Sequence, residues 1–205
     1  MPVTINGDGS IAGLSVGGLG SGVVNTATIA NNAIGTNQLA DDAVTANKLG
    51  TKTFVSYALL AARYAATSGD KGDFTAGSWI TRALNNEVVD TDNIVSLSSN
   101  QFTLQSGTYM IKFRACAYQV NRHVTRLREI SPTAQTIASG SAEYAWPNGA
   151  GHTWSEGWCR TTITQATTYE IQHQCQTTKT GNGIGFQMNF SGADYVQVEI
   201  YKEAT

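Results

Sequence analysis

Large apolar side chains recur at five-residue steps along the amino-terminal quarter: Leu14, Leu19, Val24, Ile29, Ile34, Leu39, Val44, Leu49 and Phe54, separated almost entirely by Gly, Ala, Ser, Thr, Asn and Asp. A ten-residue period overlies that spacing, since IANNAIGTNQ and LADDAVTANK share a frame and Leu49 stands in the same register. A five-residue step matches neither the 3.6 period of a helix stripe nor the period of 2 of a strand face, so the segment is no single regular amphipathic element. One large side chain per five residues also buries too little apolar surface to offset the ordering of its own backbone, about 1 to 2 kcal/mol per residue. The segment therefore needs partners. Copies of the same chain wound round a common axis would turn the pentad side chains inward, and a single arm laid over another protein would press them onto its surface. A flexible Gly/Ser/Thr linker is the third possibility, and the Gly-rich residues 1–22 read most like one.

From about residue 54 the pattern changes to short runs of Val, Ile, Tyr, Phe, Trp and Thr between turn residues, which predicts an all-β sandwich. FVSYALLAARYA opens it as a strand, although its Ala and Leu also permit a helix. SWITRAL, NIVSLS, QFTLQSG, TYMIKFRACAYQV, HVTRLREIS, GWCRTTIT, TTYEIQHQCQ, IGFQMNF and DYVQVEIYKE follow, a number that suits a jelly roll. Alternation places Tyr109, Ile111, Phe113, Ala115 and Ala117 on one face of a strand, with Met110, Lys112, Arg114, Cys116 and Tyr118 on the other. In the last strand Val196, Val198 and Ile200 oppose Tyr195, Gln197, Glu199 and Tyr201, and the tyrosines of that second set suit contact with a neighbouring subunit. The expected organisation is an extended stalk or arm over residues 1–53 and a β head over residues 54–205.

Charge narrows the function. The 205 residues carry 13 Lys+Arg against 15 Asp+Glu, a net charge of -2, and only 14% of them are charged. A phosphate-tracking nucleic-acid binder needs a basic face, and none is visible. No apolar run approaches the length of a membrane span, and the amino terminus has no signal-peptide pattern. The three cysteines, Cys116, Cys159 and Cys175, are odd in number and widely spaced, so they are expected as small buried hydrophobes rather than disulfides or zinc ligands.

Candidate chemistry is sparse. His123, His152 and His173 fall on separate segments without HExxH or a carboxylate cluster, and neither a P-loop nor GxSxG occurs. A triad of a serine, His152 and Glu156 can be drawn on paper only. No enzyme activity and no cofactor or metal are expected. Two places suit binding. Arg122, Arg126 and Arg128 form the densest charge, fit either for an anionic sugar or phosphate or for an intersubunit network with Glu129, Glu170 or Glu199, with Arg114 near them. Trp146 and Trp154 flank the loop-like AWPNGAGHTW, where aromatic faces beside His152 and polar side chains suit a carbohydrate.

The stretch GSWITRALNNEVVDTDNIVSLSSNQFTLQSGTYMIKFRACAYQVNRHVTRL, with TYEIQHQCQTTKTGNGIGF and the closing YVQVEIYKE, resembles the carboxy-terminal domain of tailed-bacteriophage tail-fibre and related virion proteins. That domain is similar to the trimeric jelly roll of complement and tumour-necrosis-factor-like proteins, and LADDAVTANKL resembles elements of fibre stems. The resemblance implies a homotrimeric, non-enzymatic virion protein that attaches to the host. Its partners would be itself, other virion proteins through the arm, and host-surface carbohydrate. The alternative is a capsid decoration protein whose arm binds the shell and whose head forms a surface knob.

Overall fold

The β-forming composition beyond residue 54 is realised, in a computed structural model, as two antiparallel sheets. The structure describes residues 4–5, 7, 11–12, 39, 44, 48, 54–65, 69, 71–149, 151–190 and 192–204. The chain falls into two units, residues 1–48 and 49–205. In the first, β1 (Thr4–Ile5) pairs antiparallel with β2 (Ile11–Ala12). Of the pentad positions, Leu39, Val44 and Phe54 are described and exposed, while Leu14, Leu19, Val24, Ile29, Ile34 and Leu49 lie outside the described residues.

The strands of the second unit are β3 (Phe54–Tyr64), β4 (Ile80–Thr81), β5 (Asn86–Asp90), β6 (Val95–Ser98), β7 (Gln101–Leu104), β8 (Gly107–Tyr118), β9 (Asn121–Ser131), β10 (Thr136–Ala145), β11 (His152–Ile163), β12 (Thr167–Cys175) and β13 (Ala193–Glu203). One sheet runs β11-β8-β13-β3-β5, and the other runs β10-β9-β12-β7-β6 with β4 paired to β12. From β3 onward the chain changes sheet at every connection except β6 to β7 and β9 to β10, the winding of a jelly roll.

Alternation supplies the core. Tyr109, Ile111, Phe113, Ala115 and Ala117 are all buried on β8, as expected, and the first four meet Leu60, Phe102, Leu104, Leu127, Tyr169, Ile171, Val196, Val198 and Ile200. Each large apolar side chain so buried contributes about 1.5–3 kcal/mol. A smaller cluster of Phe74, Ala117, Val120, Ala145 and Cys175 forms beside it. Glycine permits a close approach at Gly157 on β11, where a Cβ would press on Phe113 Cζ and lie 2.8 Å from Phe113 Cε2 and 3.0 Å from the Gly140 Cα on β10.

Several expectations are corrected. Cys116 is buried, as expected of the cysteines, but on the face of β8 opposite the core, where the loop that contains Ile184 covers it instead of solvent. SWITRAL yields only β4, because Arg82 turns inward and its backbone N–H pairs with Ile171 outside a regular ladder. IGFQMNF makes no strand, whereas NEVVD and TIASGSAEYA do. Tyr195 does not join the outward face of β13. The β13–β3 register shifts between Asp194 and Gln197, so Tyr195 and Val196 are both buried, and the Tyr195 hydroxyl donates to the Phe186 carbonyl.

Candidate functional site

The outward face of the five-stranded sheet carries the richest arrangement of chemistry. Pairing across β11, β8 and β13 aligns Glu156 with Arg114 and Gln197, Trp158 with Lys112 and Glu199, and Arg160 with Met110 and Tyr201. Strand β3 adds Tyr57 beside Tyr201. Opposite charges therefore meet across the strands, with the two cations of β8 between carboxylates on its neighbours: Lys112 lies 3.5 Å from Glu199, and Arg114 lies 3.6 Å from Glu156. Arg160 forks onto Glu203 at 2.7 and 2.8 Å, a bidentate pair that fixes the rim. Between the rows lies a concavity of about 140 Å³ lined by Lys112, Arg114, Glu156, Trp158, Gln197 and Glu199.

Aromatic rings border it. Trp158 is 69% exposed, and at the foot of the sheet Tyr201 packs against Phe54 and Tyr57 at centroid distances of 5.2 and 4.9 Å. The Tyr201 hydroxyl donates to Glu199, and that bond, with burial and the carboxylate's charge, pushes the phenol up to about 12. Burial and Glu199 likewise raise Tyr57. Phe54, the last pentad residue, is thus an exposed apolar group on the same sheet as this face.

The two tryptophans expected to flank one loop stand on either side of the β10–β11 connection. Trp154 lies within β11, where the Arg114 guanidinium sits over its ring at 4.8 Å. Trp146 follows β10, is 59% exposed, and meets Tyr144 edge-on at 6.4 Å. No ring contact joins Trp146 and Trp154 among the described residues. His152 packs among Tyr118, Trp154 and Tyr195, and its Nε2 is buried without a hydrogen-bond partner, so it forms no relay with Glu156. Burial and Arg82 lower its proton affinity.

Arg122, Arg126 and Arg128 share one parity of β9, and Arg128 acts electrostatically on Arg126, but each has its own hydrogen-bond partner. Arg126 lies over Trp79 at 3.9 Å and donates through Nε to Gln172 Oε1 at 2.8 Å, while Gln172 donates to Glu170. Arg126 thus reaches Glu170 through an amide. Arg128 donates to the Ala134 carbonyl, and Arg122 lies 3.5 Å from Gln176 Oε1. Glu129 accepts from Thr133 and Gln135, Glu170 from Thr81 and Gln101 as well as Gln172, and Arg114 and Glu199 belong to the other sheet.

Sequence spacing gave no sign that histidines from three strands would gather near one arginine. His173 Nε2 lies 2.9 Å from His123 Nδ1, and Arg82 Nη1 lies 2.7 Å from His173 Nδ1. Among the described residues no group of three or more His, Cys, Asp or Glu is placed to hold a metal ion. All three cysteines are free, and burial pushes each thiol up to about 11.

Trp158 and Tyr144 were not singled out in the sequence. Trp158 shares the parity of Trp154 and Glu156 on β11, which was the available signal. No protein-family model and no curated protein matches the chain. Among solved structures, the chain is similar to murine APRIL at pH 8.0, with a TM-score of 0.48 and 7% identity over 74% of this chain and 99% of that one. It is also similar to the globular domain of zebrafish complement 1qA, with a TM-score of 0.45 and 16% identity over 72% of this chain and 96% of that one.

Proposed function

We propose that the protein is a homotrimeric, non-enzymatic attachment component of a tailed-phage virion, with residues 1–53 as its stem or anchoring arm and residues 54–205 as its head. The observation that carries the assembly is the outward face of the five-stranded sheet. Lys112 and Arg114 stand between Glu156 and Glu199 beside the exposed Trp158, so a second copy can oppose each charge with its complement while covering the ring. Phe54 links the apolar register of the stem to the Tyr57–Tyr201 cluster of the head. The tail-fibre resemblance of the sequence supports the place on the particle.

Recognition is assigned to the Tyr144–Trp146 pair. Both rings are exposed beside a turn, a disposition suited to stacking on the C–H faces of host-surface sugars. Three weak sites on one trimer, repeated around a particle, give lasting attachment through effective concentration.

The test has two readouts. Light scattering of the purified full chain gives a trimeric mass if the assembly is correct, and a monomeric mass at micromolar concentration overturns it. Immunogold labelling of intact particles with an antibody to the head gives label at the tail end. Label over the shell replaces the reading with capsid decoration, and unlabelled particles overturn the virion assignment.

A further inference from the structure

Arg82 is a buried cation whose partners are all neutral. It is 2% exposed, and its Nη1 donates to the Cys116 carbonyl and to His173 Nδ1, each at 2.7 Å, while Nη2 donates to the Ile184 carbonyl at 2.6 Å. A guanidinium has donors only, so His173 Nδ1 carries a lone pair and the ring's proton sits on Nε2. That Nε2–H faces His123 Nδ1 at 2.9 Å, which must accept, leaving the second ring's proton on Nε2, 2.8 Å from Thr153 Oγ1. Arg82 thereby fixes the tautomer of both rings. One more proton on either ring turns an acceptor into a donor and sets two N–H groups against each other beside a permanent positive charge.

The far end of this relay holds a loop. Residues 181–190 lie within the connection from β12 to β13, and their backbone accepts hydrogen bonds from the Gly72, Tyr118 and Lys71 amides at 2.7, 2.9 and 2.9 Å, through Gly181, Gly183 and Gly185. Phe186 stacks on Tyr118 at 4.9 Å. Beyond Ile184 the loop bears Phe186, Met188 and Phe190, all exposed. Arg82 is the charged side chain that ties its middle to the sandwich, at the Ile184 carbonyl, beside the weaker Cys116 thiol contact to the same oxygen and the Tyr195 hydroxyl bond to the Phe186 carbonyl.

We propose that the Arg82–His173–His123 relay is an acid-released latch: protonation of the histidine pair breaks the guanidinium's hold on Ile184 and frees residues 181–190 while both sheets stay folded. The surroundings provide nothing to absorb the added charge. The groups that act electrostatically on these rings are Arg82 and the neighbouring histidines, including His152 of β11. Cys116 of β8 and Tyr64 of β3 act on Arg82. Lys71 adds a second positive charge near Tyr64 and Tyr195, and Cys175 of β12 stays a thiol. No carboxylate is among the groups that act on the three rings in the described residues.

The direction follows from linkage. Burial first, and Arg82 second, hold His123 down to about 4 and His173 well below the ordinary histidine value. A freed ring takes up its proton near 6.5, so the latch is whole above that pH and weakens as pH falls from 6.5 towards 4. At pH 4.5 each ring favours the released state by up to roughly a hundredfold.

Amide hydrogen exchange of the full chain between pH 7.5 and 4.5, normalised to intrinsic rates, tests this. Exchange at Lys71, Gly72 and Tyr118 should accelerate at least tenfold (the linkage factor for one partly protonated ring), while Phe113 and Val198 in the sheets keep their protection. Unchanged protection at those three amides overturns the latch, and so does parallel loss in the sheets. His123→Gln combined with His173→Gln supplies neutral donors and acceptors and should keep the loop protected at pH 4.5, whereas His152→Gln should respond like the wild type. A response abolished by His152→Gln alone overturns the assignment to the pair. Should the double variant fail to fold, imidazole nitrogen shifts of the wild type at pH 7.5 still decide: both rings must be Nε2–H tautomers, and any other tautomer refutes the relay.

Discussion

Replacing Gly157 with Ala tests whether the two sheets are pressed together at the point where β10 crosses β11. The added Cβ would lie 2.8 Å from Phe113 Cε2 and 3.0 Å from the Gly140 Cα, against about 3.5–4.0 Å for relaxed carbon contacts. Neither neighbour yields easily, because the Phe113 ring is in the core and Gly140 offers only backbone. Overpacking of this kind costs about 1–3 kcal/mol, and the reduced freedom of the unfolded chain returns about 0.5–1 kcal/mol. The net loss of about 1–2 kcal/mol lowers Tm by about 2–8 °C for a unit of this size. Calorimetry and urea titration at fixed protomer concentration read it directly, since assembly makes Tm concentration-dependent. Phe113→Leu alone leaves a cavity and destabilises. Combined with Gly157→Ala it gives the new methyl room, so the pair should couple favourably by about 0.5–3 kcal/mol. An unchanged Tm in Gly157→Ala, or strict additivity in the double variant, refutes the close-packing argument.

Trp158→Ala with Lys112→Glu should reduce the light-scattering mass of the purified protein from trimer towards monomer, with the far-ultraviolet spectrum of the β head retained; an unchanged mass removes this face from the interface. Trp146→Ala with Tyr144→Ala should leave the mass unchanged and slow host-cell adsorption about tenfold or more, the loss expected from roughly 1.4 kcal/mol of stacking. Wild-type adsorption by that variant excludes the pair from recognition. Ile34→Asp with Leu39→Asp should detach the stem from its partner and speed proteolysis between residues 20 and 50 while the head stays intact, and an unaltered cleavage pattern speaks against inward-facing pentad side chains.

Alternation made the centre of the head legible. The inward set of β8 and the Val196, Val198 and Ile200 row of β13 follow from period 2 alone, because each strand has one face on the core. The expectation failed where the ladder is irregular or covered a second time. A register shift buried Tyr195, and at the end of β8 a loop covers the face that alternation left to solvent, which is how Cys116 comes to be buried as a free thiol was expected to be. β10 escaped notice because TIASGSAEYA is weakly apolar and its pairing with β9 shifts twice. IGFQMNF alternates like a strand but finds no ladder, its backbone being held by Arg82 and loop contacts. For the candidate site, Tyr201 and Phe54 were visible in the linear pattern. The joining of Trp158 with Lys112 and Glu199, and of His123 with His173, required the strand register, which short-range spacing does not encode.

The position of β13 also bears on how the protein is made. The last strand lies between β8 and β3, with Ile200 beside Ala58 on one side and Ile111 on the other. A ribosome therefore releases residues 1–53 and ten strands of the second unit before the five-stranded sheet has its centre. Until then β11-β8 and β3-β5 are separate pairs with open edges, a slow-closing topology that exposes strand edges to neighbouring chains. A premature stop after Gly192 would remove a keystone rather than an edge, and the product should precipitate during synthesis instead of accumulating as a slightly shorter head.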